Sequence, residues 1–200
     1  MTFLRRLGIT YADSFTRSNQ SGLGNGWTLL NGTTQPAISS NTAACTTTTA
    51  SWYPAIYAQT RTDRNFVQAM VATTPTATGA GVLFRCNSSG SQQLSALVAT
   101  SGTYIVLVTS ATGSSSTSEA NNSTTWATGN YLTIAASGTA YTVWKSSTTN
   151  WQSGATSILT WTDSGNVVSQ GNGNRWAGLA VQYSGSAAGA TFSNWSMGDW

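Results

Sequence analysis

The sequence predicts an all-β protein, folded as an antiparallel sandwich or barrel. Three observations lead there. No window places apolar residues at helical spacing beside Glu, Lys or Arg, whereas short apolar or alternating runs recur between Gly- and Ser-rich breaks. Charged residues make up 6% of the 200-residue chain, against roughly 25% in average soluble proteins, and Ser, Thr, Asn, Gln and Gly replace them. Hydrophobic residues still reach 40%, with nine Trp, seven Tyr and five Phe. Disordered chains pair low hydrophobicity with high net charge, and this one carries only +3.

The strands follow in order. A short one is expected at 13–16 and another at 27–30. The stretch DSFTRSNQSGLGNGW joins them, its glycines at 22, 24 and 26 allowing a sharp turn. Asp13 and Arg17 are expected to serve there as local hydrogen-bonding groups. Further runs lie at 55–59, 66–72, 81–86, 93–99, 103–109, 131–135, 140–145, 158–162, 176–183 and 190–196, about a dozen strands in all. Ser101-Gly102 and Ser137-Gly138 read as hairpin turns, and hairpins make neighbouring strands antiparallel. Asp163-Ser164-Gly165-Asn166 is a third turn, with Asp163 capping it and Gly165 in the strained position. Residues 110–125 are polar, with no apolar anchor before Trp126, and read as a long loop. No linker or fixed-period repeat divides the chain, so one domain is expected.

Composition narrows the functions. No stripe of Lys or Arg runs along any segment, which argues against nucleic acid as the partner. No run nears the roughly 20 apolar residues that span a bilayer, and the N-terminus has arginines where a signal peptide needs its apolar run. No membrane insertion is expected. There is no His, so neither a Ser-His-Asp triad nor a Cys-His pair exists. Cys45 and Cys86 cannot make a zinc site alone. They form one disulfide if the fold joins them, or remain as two buried thiols.

The order of motifs resembles a known family. D-S-F-T-R and L-G-N-G-W-T are followed by G-V-L-F-R at 81–85 and N-Y-L-T-I-A-A-S-G-T-A-Y-T-V-W at 130–144. W-T-D-S-G at 161–165, W-A-G-L-A-V at 176–181 and F-S-N-W-S-M-G-D at 192–199 complete the set. Together they resemble the concanavalin A-like lectin/glucanase (LamG-like) jelly roll, in the versions found in tail and other virion proteins of actinobacteria-infecting bacteriophages. The resemblance implies a two-sheet antiparallel sandwich at 13–200 whose first and last strands pair, with Phe15 and Phe192 in one core. Residues 1–12 lie outside it, either as a frayed or loosely packed terminus or as an arm whose Phe3, Arg5 and Arg6 grip a neighbouring subunit. Trp200, at the other end, either folds back on the domain or meets a partner.

Glucanases of this fold family use two carboxylates close together on one strand, one as acid and one as nucleophile or base. Asp13, Asp63, Glu119, Asp163 and Asp199 are too dispersed to place such a pair on one strand, so no catalytic residues are expected. A calcium site needs clustered oxygen ligands. Asp163 with Asn166 reads more simply as a turn, so neither metal nor cofactor is expected. Metal-free glycan binding by aromatic faces remains, with Trp126 and Trp151 at polar loop borders and Trp52-Tyr53 as further candidates. Trp144 and Trp161 alternate as core residues do.

Two roles follow as expectations. One is a non-catalytic bacteriophage virion protein on the exterior of head or tail, bound to other virion subunits or to copies of itself and touching host glycans. The other is a free-standing carbohydrate-binding module, and a glycoside hydrolase is disfavoured. One Lys, one Glu and three Pro are few guards for so many strand edges, which favours the assembly.

Overall fold

The computed structural model describes residues 10–32, 34–76 and 78–200. Fifteen strands are present among them. The first half holds β1 (Thr10–Asp13), β2 (Thr28–Leu29), β3 (Ala37–Ser39), β4 (Thr42–Ala44), β5 (Ser51–Gln59), β6 (Asn65–Thr73), β7 (Ala80–Cys86) and β8 (Gln93–Ala99). The second half holds β9 (Gly102–Val108), β10 (Ser116–Asn122), β11 (Tyr131–Ser137), β12 (Ala140–Ser146), β13 (Thr156–Thr162), β14 (Trp176–Tyr183) and β15 (Thr191–Asp199). Every strand pairing is antiparallel.

The strands form two facing sheets. Sheet A runs β13-β12-β11-β6-β15-β4-β3, with β1 also on β15, and sheet B runs β10-β9-β8-β7-β14-β5-β2. First and last strands pair, Thr10 opposite Gly198 and Asp13 opposite Trp195. Alternating side chains of both sheets fill the space between them: Val67, Val71, Leu132 and Ile134 from A meet Val82, Leu94, Ile105 and Leu179 from B. Phe15 and Phe192 share this core.

The opening stretch is a fastening. One Asp13 oxygen accepts from the Phe15 amide (2.8 Å) and Arg17 Nη1 (2.7 Å), and the other accepts from Arg17 Nη2 and the Trp27 indole (2.8 Å). Trp27 lies 4.8 Å from the Trp195 ring, and Trp195 Nε1 donates across the sandwich to the Gly178 carbonyl. Gly22, Gly24 and Gly26 all sit at positive φ, as the turn requires.

A second clamp ties the sheets near one end. Arg85 adopts φ 49° where β7 and β14 slip register. This bulge puts Phe84 in the inter-sheet core and Cys86 in the cluster on the outer face of sheet B, while Arg85 turns to Asp63 and the Gly138 carbonyl. Asp63, between β5 and β6, also accepts from Arg175 and the Gly171 amide.

Several expectations need correction. Residues 110–125 are not all loop, because β10 lies within them as the edge of sheet B. STSEANN has no apolar residue to register alternation except Ala120, and its exposed edge demands none. The first strand is Thr10–Asp13 rather than 13–16, so three residues assigned to the arm belong to the sheet. Asn166, not Gly165, takes the left-handed position after Asp163. The strands β3 and β4, three residues each, had no counterpart among the expected runs. Phe3, Arg5 and Arg6 lie outside the described residues.

Candidate functional site: a groove on the outer face of sheet B

Sheet B buries both faces in part. β9, TYIVLV after its glycine, is apolar almost throughout, as strands covered on both sides are. Ile105 and Leu107 point into the sandwich, while Val106 and Val108 join Trp52, Ile56, Leu83, Leu97 and Ala180 on the outer face. Part of that outer cluster stays open as a groove of about 360 Å³. Leu97, Val106 and Val108 form its apolar floor, Trp52 and Gly113 stand at one end, and Ser101, Tyr104, Ser116, Ser118, Thr78 and Gln182 supply a polar rim. A second cavity of about 510 Å³ continues past Trp52, Gly113 and Gln182 toward Ser51, Tyr183 and Ser184. Such volumes fall in the range of roughly 300–1,000 Å³ usual for small-ligand sites.

Gln93 organises the Trp52 end. Its side-chain oxygen accepts from the Trp52 indole (3.0 Å), while its nitrogen donates to the Gly90 and Ser110 carbonyls. The turn after β9 is thereby pinned against Trp52. A Cβ on Gly113 would stand 2.5 Å from the Trp52 Cβ, so only glycine fits. Along the rim, Thr78 donates to Gln182 (2.6 Å), and the Ser101 and Tyr104 hydroxyls bond each other (2.7 Å). Among the described residues, the Ser116 and Ser118 hydroxyls make no side-chain hydrogen bond with the protein. No charged residue lines either cavity.

The aromatic residues chosen from sequence are scattered. Trp52 borders the groove but is only 5% exposed, so it offers little open ring surface. Tyr53 points the other way, into the inter-sheet core, and its hydroxyl donates to the Thr49 carbonyl. Trp151 is buried on the outer side of sheet A among Phe66, Trp144 and Trp200, with no ring face free to stack on a sugar. The polar border around Trp151 suggested exposure, and three neighbouring rings remove it. Trp144 is half-buried in that same cluster, not in the core: Tyr141 and Val143 point inward, which turns Trp144 outward. Trp161 packs against the core and stacks on Tyr141 at 5.3 Å. Trp200 folds back, with Nε1 donating to the Asn65 carbonyl and Arg64 above its ring at 4.2 Å. Trp126 is half-buried, donates to Thr103 and borders a smaller cavity of about 240 Å³. Tyr104, Val106 and Gln182 line the groove without having been singled out, although the unbroken apolar run of β9 already pointed to a covered outer face.

The four aspartates are occupied. Asp13 and Asp63 sit in the two fastenings, Asp163 accepts from the Val167 and Val168 amides, and Asp199 accepts from the Arg61 and Thr62 amides. Burial pushes the Asp13 carboxyl up, but hydrogen bonds from Arg17, the Phe15 amide and Trp27 outweigh it and hold it below the ordinary range. Hydrogen bonding from Arg175 holds Asp63 far below that range against burial, and the Gly171 amide and Arg85 assist. Among the described residues there is no cluster of three or more His, Cys, Asp or Glu that could hold a metal ion. Both cysteines are free, Cys86 buried and Cys45 half-buried.

The fold is a two-sheet antiparallel β-sandwich. No protein-family model matches the chain, and no curated sequence does. Solved structures do match in fold. The carbohydrate-binding module CBM66 from Bacillus subtilis aligns with a TM-score of 0.57 at 16% identity, over 85% of this chain and 93% of that one. The metal-free exoplasmic/lumenal domain of VIP36 aligns at 0.61 and 10% identity, over 96% and 91%. The GH43 protein BlXynB from Bacillus licheniformis aligns at 0.57 and 14% identity, over 92% of this chain but 38% of its own.

Proposed function

We propose that this chain is a non-catalytic carbohydrate-binding domain whose ligand lies in the groove on the outer face of sheet B. The observation that carries the reading is the groove's composition, an apolar floor at Leu97, Val106 and Val108 under a rim of hydroxyl and amide groups. Sugars present apolar ring faces and polar edges, and such a surface meets both. A fold shared with a carbohydrate-binding module and with VIP36 supports it. The commitment of the four Asp side chains to structural hydrogen bonds supports the non-catalytic part. A glycan microarray tests it: wild type binds, and Tyr104→Ala and Gln182→Ala each lose affinity by about tenfold or more, near 1.4 kcal/mol. Equal loss in Trp126→Ala alone would move the site to the smaller cavity.

A second reading places the same domain on the exterior of a bacteriophage particle, bound to other virion subunits. It rests on the family resemblance, because the edge strands β10 and β13, expected to need neighbours for want of charge, approach each other instead. Copurification with intact particles at fixed stoichiometry is its expected outcome, and a chain that stays in the particle-free fraction overturns it.

A further inference from the structure

The geometry points to a narrower ligand class: an internal stretch of a neutral polysaccharide, held without a metal ion. This rests on the carbohydrate reading above and goes further in charge, length and metal dependence. The lining of both cavities contains Ser, Thr, Tyr, Gln, Gly, Ala, Leu, Val and Trp, and no Lys, Arg, Asp or Glu. A carboxylated or sulfated sugar placed there would lose hydration with no cation to receive it, which costs far more than burying a hydroxyl. With no carboxylate in the lining, there is equally no hard-oxygen ligand set for calcium.

The hydroxyl inventory suits a neutral partner. Ser116 and Ser118 both present donor and acceptor capacity unspent within the described residues, and they stand on one side of β10, two residues apart. Gln182 accepts from Thr78 through its oxygen and keeps its amide nitrogen for a ligand. Length follows from continuity. The two cavities share Trp52, Gly113 and Gln182, so the path enters at Ser101 and Tyr104 and leaves beside Ser184. Neither end is a closed pocket able to select a chain terminus.

Affinity electrophoresis of the intact domain tests this, using dextran, laminarin and galactan against polygalacturonate and heparin, with and without EDTA and in low and high salt. The expected result is retardation by at least one neutral polymer, unchanged by EDTA and by salt. It weakens about tenfold in Gln182→Ala and in Ser116→Ala/Ser118→Ala. Circular dichroism verifies that these rim variants stay folded. Retardation by acidic polymers alone, suppressed by salt, overturns the inference and leaves the carbohydrate reading intact. Binding that disappears in EDTA and returns with calcium also overturns it. A free monosaccharide that competes as well as its polymer overturns the internal-stretch claim. Retardation by no polymer, together with an empty glycan array, overturns both readings.

Discussion

At the scale of single residues, stability concentrates in two carboxylates. Asp63 neutralises Arg85, whose side chain is fully buried, so Asp63→Ala strands a buried charge and costs about 3–5 kcal/mol; urea unfolding checks this. Asp13→Ala breaks the hydrogen bonds to Arg17 and Trp27 and costs about 1–3 kcal/mol. Both carboxyls titrate lower in the folded state than their unfolded value of about 3.9, so their contribution is complete above that value. It is lost as pH falls toward their folded values, because the unfolded chain then binds more protons. The urea midpoint is expected to drop on acidification below about pH 4, and Asp63→Asn flattens that fall. Burial also raises the Cys86 thiol well above its ordinary value, so a thiol reagent labels Cys86 only on unfolding.

At the scale of elements, Gly113 is the sensitive point of the groove. It sits at φ 72° against Trp52, and Gly113→Ala forces the turn after β9 away from the indole. A loss of about 1–3 kcal/mol is expected with altered tryptophan emission, and glycan retardation falls with it. The elements also show what sequence can and cannot reveal. A strand such as β12 alternates at its start, Tyr141 and Val143 buried in the core between Ala140, Thr142 and Trp144 on the more open face. β10 was read as loop because an edge strand needs no apolar face. β3 and β4 are too short to show a period. The candidate groove was legible in part: of the aromatics singled out, Trp52 lines it, but Trp151 and Tyr53 were not separable from Trp52 by local polarity. Their burial depends on Phe66, Trp144, Trp200 and the opposite sheet, which only the tertiary fold brings near.

At the scale of the molecule, the sandwich closes along one side where the edge strands β10 and β13 approach each other, Asn122 donating to the Ile158 carbonyl. On the opposite side, Gln20 exchanges two backbone hydrogen bonds with Ile38 and caps β3. The edges are thus managed by contact and capping rather than by charge, which explains how so few Lys and Glu suffice.

The place of β15 has a temporal consequence. It lies inside sheet A, with β6 on one flank and both β1 and β4 on the other. A ribosome delivers every other strand before it. Until residues 191–199 are in place, β6 has an open side and β1, β3 and β4 have no sheet to join. The domain therefore completes its fold only when residues 191–199 insert into a waiting slot. A chain stopped after Ala190 is expected to show no cooperative unfolding transition. Adding a synthetic peptide of residues 191–200 to it should restore one.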